Sequence, residues 1–224
     1  MRSVKKIIKW IFIILAVFMA LIQIINLGKE GINRDTLVVV SELLLVIWFI
    51  FMYIFRETIY KIMHILPGKW FRFVLLGVIS TSLAEAVYIF SKPLHEILFW
   101  DLFLTFPWYF LWMLIWFFVL SKFKFSLKEA FILGGFHGFI IEGIFNGIFL
   151  NPLLALISLP LFTILYGFFF IVPYLVLERD FINQKPASLH KKFLVSLIPL
   201  LAYIPGFIWI LSWVKAYGIE LFPR

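Results

Sequence analysis

With 224 residues and a formal charge of +8, the chain is 64% hydrophobic and 14% charged, against about 45–50% and about 25% in soluble domains. A soluble fold of this length cannot hide so much apolar surface, whereas lipid tails solvate it directly. The lack of cysteine excludes disulfides, thiolate metal sites and a cysteine nucleophile. The cations sit in short loops between apolar runs, which excludes a separate nucleic-acid-binding domain and makes the lipid bilayer the expected partner.

A spanning helix needs about 20 mostly apolar residues. Such runs occur at 7–27, 37–55, 73–90, 102–120, 130–150, 153–177 and 193–214. The expected fold class is all-α: one polytopic transmembrane helix bundle of about seven spans, occupying 1–224 as a single integral membrane domain. The first run follows Arg2, Lys5 and Lys6, as in a signal peptide, but is too long for a signal core and lacks a small-residue cleavage site, so a retained span is expected. Between the second and third runs, Ile59, Ile62, Met63 and Leu66 share one helical face, while Arg56, Lys61 and His64 lie off it. This pattern fits either a basic amphipathic helix on an anionic leaflet or an extension of the second span.

Only Asn151-Pro152 separates the fifth and sixth runs, which predicts a tight hairpin. Six spans would follow if that pair were re-entrant, but seven fits the charges better. Pro107, Pro160, Pro173, Pro199 and Pro205 fall within or near spans. Proline removes a backbone donor and bends a helix, and Pro205-Gly206 is the expected hinge of the last span.

Charge counting sets the orientation. The N-terminus and the loops around 56–72, 121–129 and 178–192 hold 15 Lys and Arg, and the other side holds five: Lys29, Arg34, Lys92, Lys215 and Arg224. The positive-inside rule then places the N-terminus in the cytoplasm and the C-terminus outside a plasma membrane. An even number of spans would break this alternation.

Three carboxylates lie inside predicted spans: Glu42, Glu85 and Glu142. A charge at mid-bilayer costs at least ~2.5–3.5 kcal/mol, so such groups face the bundle interior or water. At a rise of about 1.5 Å per residue, they fall in one layer roughly 3–6 Å to the outer side of the midplane. Gly77, Thr81 and Glu85 follow at i+4 on the third span, and Gly134, Gly138, Glu142 and Asn146 do so on the fifth. Each series shares a helix face and forms a small-residue stripe leading to a carboxylate. The two segments also align weakly at an offset of 57 residues, consistent with a duplicated hairpin.

His137 lies on the fifth span but not on the Glu142 face. It fits a hydrogen-bonded packing residue or a proton-relay member with a pKa near neutrality. Towards the outer surface, His95, Glu96 and Asp101 cluster before the fourth span. Trp108, Trp112 and Trp116 recur at i+4 on the fourth span, as do Trp209 and Trp213 on the seventh. Trp112 is too deep for an interface anchor, so this stripe is either helix packing or the wall of a lipid groove. No zinc-protease helix motif, nucleophile elbow or phosphate-binding loop is present.

Three readings follow. The first is a small-molecule or cation/proton-coupled transporter binding its cargo at Glu85 and Glu142, with Asn146 and Thr81 as neutral ligands and Glu42 and His137 as secondary members. The second is an intramembrane enzyme acting on a lipid or hydrophobic peptide, with the carboxylates as an acid/base pair. The third is a non-catalytic assembly partner. No cofactor is implied by a motif, although paired carboxylates could hold a divalent metal.

Overall fold

A computed structural model describes residues 34–90, 97–145 and 147–217, with isolated helical positions between Val17 and Lys29; side chains at 34–43, 84–90, 97–102, 142, 145 and 217 lie outside the description. The described chain is all-helical apart from one isolated parallel bridge, Phe123 to Lys185. The helices are α1 (Arg34–Ile54), α2 (Arg56–Met63), α3 (Lys69–Phe90), α4 (Ile97–Lys122), α5 (Leu127–Phe145), α6 (Pro152–Leu177), α7 (Leu189–Ser196) and α8 (Tyr203–Tyr217).

Local chemistry explains the boundaries. A single non-helical residue, Phe55, bends α1 into α2, while the N–H groups of Phe55 and Ile59 keep their bonds four residues back. The short helix is thus a bent continuation of α1. Pro67-Gly68 ends that segment, with Gly68 at φ 72°. Ser126 and Glu129 start α5 with a capping box: Ser126 N donates to Glu129 Oε2 at 2.8 Å, and Glu129 N donates to Ser126 Oγ at 3.2 Å. Asn151 caps α6, its side-chain oxygen accepting from Leu153 N and Leu154 N, and Pro152 sits where a missing N–H is harmless. The hairpin is as expected, except that α5 ends at Phe145 instead of continuing to 150. Gly147 at φ 62° and a 3₁₀ turn over Ile148–Leu150 fill the gap.

The last apolar run departs further from expectation. It starts early, at Leu189, and breaks into α7, a 3₁₀ segment over Ile198–Ala202, and α8. The break falls at Pro199, which has no N–H to continue the ladder. Pro205 lies in the first turn of α8, where proline is tolerated, and Gly206 gives close approach to Trp108 instead of a hinge. Pro107, Pro160 and Pro173 lie within continuous helices.

Helix α5 packs along α6; α3 packs against α4, α1 and α6; the 3₁₀ segment and α8 pack against α4. Glycine makes the α5–α6 contact close. A Cβ at Gly135 would lie 1.8 Å from the Thr163 carbonyl oxygen, and one at Gly138 would overlap the Tyr166 ring. The core holds Trp112, Trp116, Phe73, Phe170 and Tyr174, while Ile47, Ile54, Ile144, Leu156 and Ile208 point outward. Apolar side chains on both sides of a helix suit a lipid surround. Among the described residues three stretches are long and apolar enough to cross a membrane: Phe103–Lys122, Pro152–Asp180 and Leu189–Ala216.

A comparison of glycine variants tests the hairpin. Gly135→Ala meets rigid backbone and should lose about 3 kcal/mol or more, whereas Gly77→Ala meets only the flexible end of Met113 and should stay within about 1 kcal/mol of wild type. Thermal unfolding of the two variants in detergent, beside wild type, measures the difference; equal melting would refute the close contact.

Candidate functional site

The glycines of α5 press one helix face onto α6 and seat His137 inside the bundle with no solvent exposure. Its ring is surrounded by Trp112 (centroids 5.8 Å apart), Trp116 (5.5 Å) and Phe170 (5.6 Å). Trp112 Nε1–H donates to His137 Nδ1 at 3.3 Å, which in a neutral ring leaves the proton on Nε2. That Nε2 has no hydrogen-bond partner, and the ring lies against the Ser196 backbone.

The Ser196 carbonyl is the group that the helix break releases. Its partner in a tightened turn would be the N–H of residue 199, which is proline, and in an α-helix that of Leu200, which donates to Leu197 O instead. His137 therefore meets the loosened backbone between α7 and α8. The tryptophan stripe is packing: Trp112 and Trp116 are buried, Trp108 sits 4.0 Å from Tyr203, and Trp209 and Trp213 sit against Phe103.

Thr81 is buried, its hydroxyl donating to the carbonyls of its own helix at Gly77 and Val78. Its neighbour Ser80 links α3 to α1, accepting from Trp48 Nε1 at 2.9 Å and donating to Leu76 O. Glu42, Glu85 and Glu142 lie on α1, α3 and α5, but their side chains are outside the described residues, as are Asn146, His95, Glu96 and the Asp101 side chain. The two glycine stripes serve different helix pairs: Gly77 faces Met113 of α4, while Gly134 and Gly138 face Phe170 and Tyr166 of α6. Among the described residues no group of three or more His, Cys, Asp or Glu could hold a metal.

One end of the bundle is ionic. Asp180, just after α6, accepts from Tyr60 Oη at 3.1 Å, lies 3.4 Å from His64 Nε2 and 3.6 Å from Arg72 Nη2. Glu57 takes both terminal nitrogens of Arg179 at 2.8 and 2.6 Å. Glu129 takes Lys192 Nζ at 2.9 and 2.7 Å. Backbone bonds between Lys122–Lys124 and Lys185 complete the collar. Three of the segments that charge counting groups together are thus physically joined. Burial, then the Asp180 hydrogen bond, hold the Tyr60 phenol above its usual range. For Glu129, burial acts to raise the pKa, but the hydrogen bonds from Lys192 and Ser126 and the Lys192 charge outweigh it, so the pKa is lowered.

Comparison with known protein families, with characterised proteins and with solved structures finds no match.

Neither the collar nor the His137–Ser196 contact is in the set of residues expected from sequence. The capping box Ser126-x-x-Glu129 carried a readable signal, and the few acids in otherwise basic loops carried a weaker one. Nothing in one dimension pairs Asp180 with Arg72.

Two variants test the collar. Asp180→Asn leaves Arg72, whose side chain is 12% exposed, without its charge partner, and should cost about 3 kcal/mol of stability in detergent, as for a broken buried pair. Glu129→Gln should cost about 1–2 kcal/mol at neutral pH. Because the folded carboxyl has a lowered pKa, its contribution is complete above the ordinary carboxylate value and fades as pH falls through the folded one. The gap in melting temperature between wild type and Glu129→Gln should close only in that acid range.

Proposed function

We propose that the chain is a seven-span membrane protein with its basic loops and N-terminus in the cytoplasm, acting as a small-molecule or cation/proton-coupled carrier. The observation that carries this reading is the fully buried, half-partnered His137 set against a broken helix. Discontinuous spans release backbone carbonyls inside the membrane, where carriers commonly build their ion and substrate sites. A second break, after Phe145, ends α5 three residues beyond Glu142. In this reading Glu85 and Glu142 bind the coupled cation or proton, Thr81 and Asn146 offer neutral oxygens, and Glu42 and His137 are secondary. Buried ionisable groups in a span are functional by default because they are costly to keep there.

One observation favours the second reading, an enzyme acting on a lipid or hydrophobic peptide. An apolar groove of about 560 Å³ opens between α5 and α8, lined by Ile140, Ile141, Ile144, Tyr203, Ile204 and Phe207 among others. An acyl chain fits such a lining, although the groove offers little polar surface for chemistry.

Because cysteine is absent, single cysteines at Lys124, Lys185 and Glu96 report topology directly. Impermeant reagents applied to intact cells should label position 96 and spare 124 and 185. Function is tested with purified protein in liposomes containing a pH-sensitive dye, under imposed sodium, potassium or divalent-cation gradients. Wild type should move protons, and Glu85→Gln and Glu142→Gln should fall to background. Equal traces from all three proteins, each well folded, would refute the carrier.

A further inference from the structure

We propose that the ionic end carries a dedicated site for the phosphodiester headgroup of an anionic phospholipid, in the cleft between the start of α5 and the 186–192 segment. This cleft has a volume of about 590 Å³ and is lined by Lys124, Ser126, Lys128, Glu129, Glu178 and Lys192 among others. The inference rests on placement of the helices in a membrane, not on the carrier reading.

Charge distribution is the first argument. The segments 56–72, 121–129 and 178–192 contain eleven Lys and Arg and four acids, Glu57, Glu129, Glu178 and Asp180. Three of those acids are engaged inside the collar, Glu57 with Arg179, Asp180 with Arg72, and Glu129 with Lys192. Among the described residues, Lys61, Lys69, Lys122, Lys124, Lys128, Lys185 and Lys191 have no ion-pair partner. Lys124 and Lys128 line the cleft against a single uncommitted carboxylate, Glu178. Lys191, next in sequence to the lining Lys192, stands 5.2 Å over the Phe123 ring.

Position is the second argument. The cleft lies where α4 and α6 end and α5 and α7 begin, which is headgroup depth for a bundle of spanning helices. The first turn of α5 lines it, adding the positive end of a helix to the lysines. The third argument is apolar exposure on the segment that supplies Lys192: Leu189, Phe193 and Leu194, next to it in sequence on α7, are exposed. A soluble anion has no use for exposed apolar side chains, whereas a phospholipid places its phosphate among lysines and its glycerol and first methylenes against such groups. The volume suits one headgroup.

The test uses the full chain in detergent and native mass spectrometry, with phosphatidylglycerol, phosphatidylcholine and inorganic phosphate as probes. Wild type should retain phosphatidylglycerol in preference to phosphatidylcholine, and excess inorganic phosphate should not displace it. Lys124→Glu with Lys128→Glu should weaken retention about tenfold or more. Lys61→Glu with Lys69→Glu makes the same change in charge at the same end, outside the cleft, and should leave retention within about twofold of wild type. If the charge-reversed cleft variant melts early, Lys124→Gln with Lys128→Gln replaces it, with the same direction expected. Equal losses from both pairs of positions would show only diffuse attraction and overturn the proposal. Displacement by inorganic phosphate alone would also overturn it, by assigning the cleft to a free anion.

Discussion

The close approach of α5 to α6 organises most of what the structure presents. Lipid gives helices no hydrophobic reason to associate, so packing depends on how near two backbones can come. Gly135 brings α5 against the Thr163 carbonyl, Gly134 and Gly138 admit the Phe170 and Tyr166 side chains, and Gly167 receives Phe131 in return. This contact aims His137 at the tryptophans of α4. Any larger residue at 135 must push the helices apart and so displace the histidine from Trp112.

Proline acts where its missing donor leaves a carbonyl free. At Pro107, Pro160 and Pro173 the helices run on, but at Pro199 the chain relaxes into a 3₁₀ segment. Side chains from four helices converge near that break, and a histidine faces it. The break thereby places a polar backbone group beside a buried histidine in the interior.

At the ionic end, opposite charges have two different uses. Acids staple loops to one another, and the Asp180–Arg72 and Glu129–Lys192 staples are partly shielded from water, so they hold better than the exposed Glu57–Arg179 pair. Their commitment leaves lysines in surplus at the surface. A single composition thus supplies internal cohesion and an outward positive field.

Sequence alone was sufficient for the helical membrane class, the apolar runs, the Asn151-Pro152 hairpin and the grouping of basic loops. Each of these is a local pattern or a count along one chain, governed by bilayer thickness, backbone caps and charge asymmetry. Which glycine faces which helix, why Pro199 and not Pro205 marks the break, and which cation Asp180 holds were decided by tertiary structure. The physical reason is that a span apolar on every side has no periodicity to distinguish its lipid face from its protein face. Only the meeting of distant segments, such as Gly135 with Thr163 or Arg72 with Asp180, makes that choice.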